Sequence, residues 1–269
     1  MQMNKRKAIT MVVVALAAAL LIAGLMAYLS DEEQNRNILT VGHNTITPVE
    51  EFEPPDELTS DTVYKKSVRI FNEPDSVPCF IRVAVEFSDD DIRKKSGFTN
   101  GTNEDLDART YYSAMQSDLA EDITKTEGEE GSETTTTLIS KYSYLKHLPV
   151  DENGNAEWIY IPLDDSTDPD LGGYYYYTKI VDPNDYTSAL FTSVRTYFGD
   201  NANIRPYDIF VYAESVQTVS IAGKEQEDGD WKEAWKEFIG NNVRRSSGDS
   251  ETDPSGSDPT TDPEPSTEP

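Results

Sequence analysis

The stretch Cys79-Phe80-Ile81-Arg82-Val83-Ala84-Val85-Glu86-Phe87 decides the fold class. Val83 and Val85 alternate with Arg82 and Glu86, the period-two pattern of a half-buried strand. Asn72-Glu73-Pro74-Asp75 upstream is turn chemistry. Before it, Val63 to Phe71 alternates in its second half, with Val68 and Ile70 on one face and Ser67 and Arg69 on the other. Further runs rich in Tyr, Val, Ile and Phe follow, as pleated surface prefers. Tyr142 to Val150 and Ala156 to Leu163 flank Asp151-Glu152-Asn153-Gly154-Asn155, a hairpin signal. Tyr174 to Val181, Ser188 to Val194 and Asp208 to Val219 complete the set, and Asn37 to Thr47 begins it.

Two segments read as helices. Glu104 to Ala120 carries Leu106, Tyr112, Met115 and Leu119 at roughly helical spacing. Asp230 to Ile239 places Trp231, Trp235 and Phe238 on one face, with Asp230 as N-cap. Thr124 to Thr137 is polar, rich in Glu and Thr, and reads as a loop insertion. Many short strands without intervening helices predict an all-β, jelly-roll-like β-sandwich with one or two short helices.

The N-terminus reads as an export signal. Lys5, Arg6 and Lys7 precede an apolar run from Ala8 to Ala27, broken only by Thr10 and Gly24. The flank after it is acidic, so everything downstream is expected to cross the membrane. Either a peptidase cuts between Met26 and Ala27, or the run stays as a membrane anchor, since it just reaches spanning length. The division is then signal 1–26, sandwich domain 27–245 with its insertion near 124–137, and tail 246–269. The tail holds no aliphatic or aromatic residue and is expected to be disordered, as is usual for such acidic composition.

The chain of 269 residues has a net charge of −27. Three of its basic residues lie in the signal, so the remainder is more acidic still. Nucleic acid is excluded as a partner, because phosphate binding needs stripes of Lys and Arg. Anionic membrane surfaces are disfavoured too, which leaves the uncleaved signal as the sole membrane contact. The single cysteine, Cys79, precludes an intrachain disulfide and reads as a small buried hydrophobe.

No enzyme is expected. The two histidines, His43 and His147, form no His-Glu-x-x-His pair. Gly-x-Ser-x-Gly, P-loop and dinucleotide patterns are absent. Asp151-x-Asn153-x-Asn155 begins like a calcium loop, but Gly154 is fourth rather than sixth and position twelve is Pro162. Asp89-Asp90-Asp91, Asp164-Asp165 and Asp168-x-Asp170 read as solvated acidic loops. No metal ligand, cofactor or catalytic residue is assigned. In Tyr174-Tyr175-Tyr176-Tyr177, alternation predicts one pair in the core and one pair, Tyr175 and Tyr177, as surface aromatics.

Several of these segments, taken in order, resemble the TasA and camelysin family of secreted Gram-positive proteins. The junction Ala27-Tyr28-Leu29-Ser30-Asp31 with Asn37-x-Leu39-Thr40-Val41-Gly42 is similar to that family's export signature. Arg69 to Asn72, Pro78-Cys79-Phe80-Ile81-Arg82-Val83 and Asp208 to Gln217 resemble its core strands, and Gly173 to Tyr177 with Thr187 to Val194 resemble a segment common in its clostridial members. The resemblance implies a jelly roll, SipW-dependent cleavage by a dedicated signal peptidase, and secretion to the extracellular matrix or cell surface of a Gram-positive bacterium. It implies a biofilm matrix fibre subunit or fibre accessory that self-associates or joins related matrix subunits. In such fibres an N-terminal strand of one subunit completes its neighbour's sheet. The implied donor here is Ala27 to Thr47, with Ile38, Val41 and Ile46 as its apolar side chains. Camelysin-type zinc protease chemistry is not implied, since the zinc motif is missing. The alternative reading is a monomeric cell-surface module that binds glycan or calcium.

Overall fold

The computed structural model describes residues 44–246, apart from 56, 165–168 and 221–222, and leaves out the side chains of 241–246. Met26, Ala27, Ile38, Val41, His43 and the tail from 247 lie outside the described residues.

Among the described residues twelve strands form two sheets, an all-β sandwich with jelly-roll-like crossovers. Sheet one runs in the order β1 (Ile46–Glu53), β2 (Asp61–Asn72), β11 (Phe191–Tyr197), β4 (Ser96–Thr99), β5 (Tyr112–Ser113), β7 (Thr134–Ser143), β6 (Ile123–Glu127). The short β10 (Asp185–Tyr186) also pairs with β2. Sheet two runs β12 (Ile209–Gln217), β3 (Cys79–Phe87), β9 (Tyr174–Tyr177), β8 (Trp158–Ile161). Two α-helices are described, α1 (Asp90–Arg93) and α2 (Trp231–Ser246). Neither is long and apolar enough to cross a membrane.

Alternation creates the core. Along β2 every second residue from Thr62 to Asn72 is buried. Tyr64, Val68 and Ile70 meet Ile81 and Val83 of β3, Phe191 and Val194 of β11, and Trp158 of β8 between the sheets. Each such side chain contributes about 1.5–3 kcal/mol by leaving water. Cys79 is fully buried, and burial pushes its thiol pKa up to about 12.

The tyrosine run divides differently from the expected arrangement. Tyr175 and Tyr177 face the inter-sheet core and are buried, so they are not surface aromatics. Their partners Tyr174 and Tyr176 face outward, yet Tyr176 is buried as well. The cause is α2, which lays Trp231, Ala234 and Trp235 over that face of sheet two. Arg82 sits under the helix, its guanidinium 3.9 Å from the Tyr174 ring centroid and 4.2 Å from that of Trp235. Glu214 of the neighbouring strand accepts from Arg82 at 2.6 Å.

Other expectations are corrected. The helix expected over Glu104 to Ala120 is a run of turns with only the two residues of β5 in a ladder. Asn103 Oδ1 accepts from the Asp105 amide and Asp105 Oδ1 from that of Asp107, and such local bonds compete with a helix. The insertion near 124–137 is the β6–β7 hairpin rather than a loop. The second helix continues well past Ile239. Asp230 accepts the first helical bond through its backbone carbonyl, but its carboxylate takes the Glu227 amide, outside the helix.

Candidate assembly site

β1 is the first described strand and lies at the edge of sheet one. It pairs antiparallel with β2 over its whole length, Ile46 opposite Asn72 through Glu53 opposite Lys65. Of its eight residues only Ile46 is fully buried. Phe52 is half-buried, edge-to-face on Tyr64 at 5.7 Å. The strand is therefore anchored by one aliphatic side chain, one aromatic contact, its backbone ladder and charge.

The charge is arranged by sign. β1 carries Glu50, Glu51 and Glu53, while β2 carries Lys65, Lys66 and Arg69. On the outer face Lys65 meets Glu53 at 3.1 Å and Glu51 at 3.4 Å, and Arg69 meets Glu51 at 3.2 Å. The pairs hold the Lys65 ammonium above the ordinary lysine pKa, through Glu53 first. Such exposed pairs are screened by solvent and add little to stability. On the inner face Lys66 is buried and contacts Glu50 directly, beneath the Phe52 ring. Arg69 also stacks over Tyr186 at 4.5 Å, tying β10 to the same strand.

Sheet two has an opening of its own. The β3–β9 ladder comprises Arg82 with Tyr176 and Val83 with Tyr175, and among the described residues it ends there. Cys79 exchanges backbone bonds with Val181 on the β9 side. Alternation therefore turns the backbone groups of Val85 and Phe87 the same way, into a gap of about 310 Å³. Phe87, Arg93, Phe98, Gln116, Tyr160 and Tyr174 line it. Gly172 lies against the Pro162 carbonyl, where a Cβ would approach to 2.7 Å.

Of the residues singled out in the sequence, the structure brings Ile46 to the start of β1, paired within its own chain. His147 stacks on Tyr112 with ring centroids 3.4 Å apart, and burial lowers its pKa. Two of the acidic loops are engaged locally. Asp89 caps α1 and binds Arg205 at 2.7 Å, and Asp151 accepts from the amides of Asn153 and Asn155. Among the described residues no three His, Cys, Asp or Glu side chains converge as a metal site. The charged residues of β1 and β2 escaped sequence reasoning. Their signal was there to read, as Glu50-Glu51-x-Glu53 and Lys65-Lys66-x-x-Arg69 are complementary runs one turn apart.

No known protein-family model matches the chain, and no curated protein matches it.

Proposed function

We propose that this chain is a secreted structural protein of the extracellular or biofilm matrix, a fibre subunit or accessory, and not an enzyme. It joins its neighbours by exchanging its N-terminal strand, in the manner of the TasA-like proteins it resembles. The observation that carries this reading is the acidic edge strand β1 lying on the basic strand β2. A strand held mainly by backbone bonds and charge can be replaced by the same strand of another copy, because that copy brings the same carboxylates in the same register. The burial of Tyr175 and Tyr177 removes the aromatic platform that a monomeric glycan-binding module would have used.

The test is a disulfide trap. Val49 and Arg69 face each other in the β1–β2 register. Val49→Cys with Arg69→Cys, oxidised at low concentration, closes within one chain and is expected to abolish fibres in electron micrographs. Oxidation after assembly is expected to give covalent chains of subunits. N-terminal sequencing of the secreted form identifies the cut, expected near Ala27. Persistent monomers over a range of pH, salt and concentration would sink the proposal.

A further inference from the structure

The far edge of sheet one is β6, which pairs with β7 on one side and with nothing among the described residues on the other. The β6–β7 arm is nearly all exposed beyond Leu138. Its register sets Thr124 opposite Thr137 and Thr126 opposite Thr135, so four threonines share one face. Thr126 and Thr135 are joined by a hydrogen bond of 3.0 Å. The other face carries Lys125 and Glu127, 2.8 Å apart. An exposed edge of β-branched residues is a template for another strand. A lone lysine would blunt it, but here a glutamate follows two residues later.

We infer that β6 is a self-pairing edge, with two copies of the chain joined antiparallel about Thr126. In that register Lys125 of each copy lies directly opposite Glu127 of the other. Shifting the centre to Lys125 would oppose the two lysines, which is unfavourable. The self-complementary charge thus selects both the partner, a second copy, and the register. A two-fold pairing of this kind is closed and isologous. It also merges the two threonine faces into one array, and cross-strand threonine pairs are favourable. The paired segment is five residues long, so the contact belongs with the small, weak interfaces below about 1,200 Å². It lies on the opposite edge from β1 and does not depend on strand exchange there.

The experiment uses the full mature chain with Thr126→Cys. Paired residues would hold their Cα atoms about 4.5–5.5 Å apart, within disulfide reach. Thr136→Cys, on β7, is the control, because its two copies would lie about 16 Å apart, three strand spacings across and two residues along. Covalent dimer at position 126 is expected to form faster than at 136 by on the order of tenfold, through the raised effective concentration of the paired thiols. Lys125→Glu and Glu127→Lys should each remove that advantage, and the double variant should restore it. Equal rates at 126 and 136, or no rescue in the double variant, would overturn the inference. Deleting residues 27–53, which removes β1 whole, should stop fibres yet leave cross-linking at 126 intact, which separates this contact from the exchange of β1.

Discussion

Lys66 and Glu50 sit where a sandwich ordinarily places hydrocarbon, on the inward faces of β2 and β1. Neither charge is left alone in the interior. Removing one partner strands the other, so Lys66→Met is expected to cost about 3–5 kcal/mol in chemical denaturation. Replacing both with apolar residues should be far milder, because the desolvation of both ions is then avoided. The pairing of Lys66 Nζ with a β1 carboxylate was overlooked although the two runs are complementary in charge, because Lys66 reads as one more exposed lysine until its neighbours alternate into the core. Asp89 gives a second residue-level prediction. Its hydrogen bond to Arg205, with the amides of α1, lowers its pKa from 3.8 to about 2. A depressed folded-state pKa stabilises above the unfolded value and loses that contribution as pH falls toward 2. Asp89→Asn should therefore lower the urea midpoint at neutral pH and narrow its gap to wild type between pH 4 and 2.

At the scale of elements, α2 explains why sheet two is covered on its outer face. Trp235 is fully buried among Phe80, Tyr176 and Val216, and its ring lies over Arg82. Trp235→Ala should cost about 3–5 kcal/mol, as truncation of a large buried aromatic does. Trp235→Phe should cost much less, because the indole Nε1 has no hydrogen-bond partner to lose among the described residues. Differential scanning calorimetry would rank the two. The helix announced itself in sequence through Trp231, Trp235 and Phe238 at helical spacing, and β3 through its alternation. The false helix at Glu104 to Ala120 had the same kind of apolar spacing. What overrode it were side-chain anchors at long range, among them Arg109 to Ser193 and Tyr111 to Ser193, each 3.0 Å. The hairpin at β6–β7 was hidden because threonine is polar in composition yet β-forming in backbone preference. The strand β1 was not read from the sequence because Glu50, Glu51 and Glu53 break up its apolar residues Ile46, Val49 and Phe52.

At the scale of the molecule, net charge governs association. A chain at −27 repels its own copies, and the proposed β1–β2 and β6 contacts between copies would form against that field. Light scattering should therefore show assembly rising as salt is added from low ionic strength, with divalent cations effective at lower concentration. At high salt the cross-strand ion pairs themselves are screened, so the rise should level off. The same whole-molecule layout has an optical consequence. The three tryptophans fall into two environments, with Trp158 between the sheets and Trp231 and Trp235 on the face of α2 that packs on sheet two. Trp235 lies against the Arg82 guanidinium, whereas Trp158 packs on Tyr177 with ring centroids 5.1 Å apart. Intrinsic fluorescence thus supplies two separable colours, one for the helix letting go and one for the sandwich coming apart.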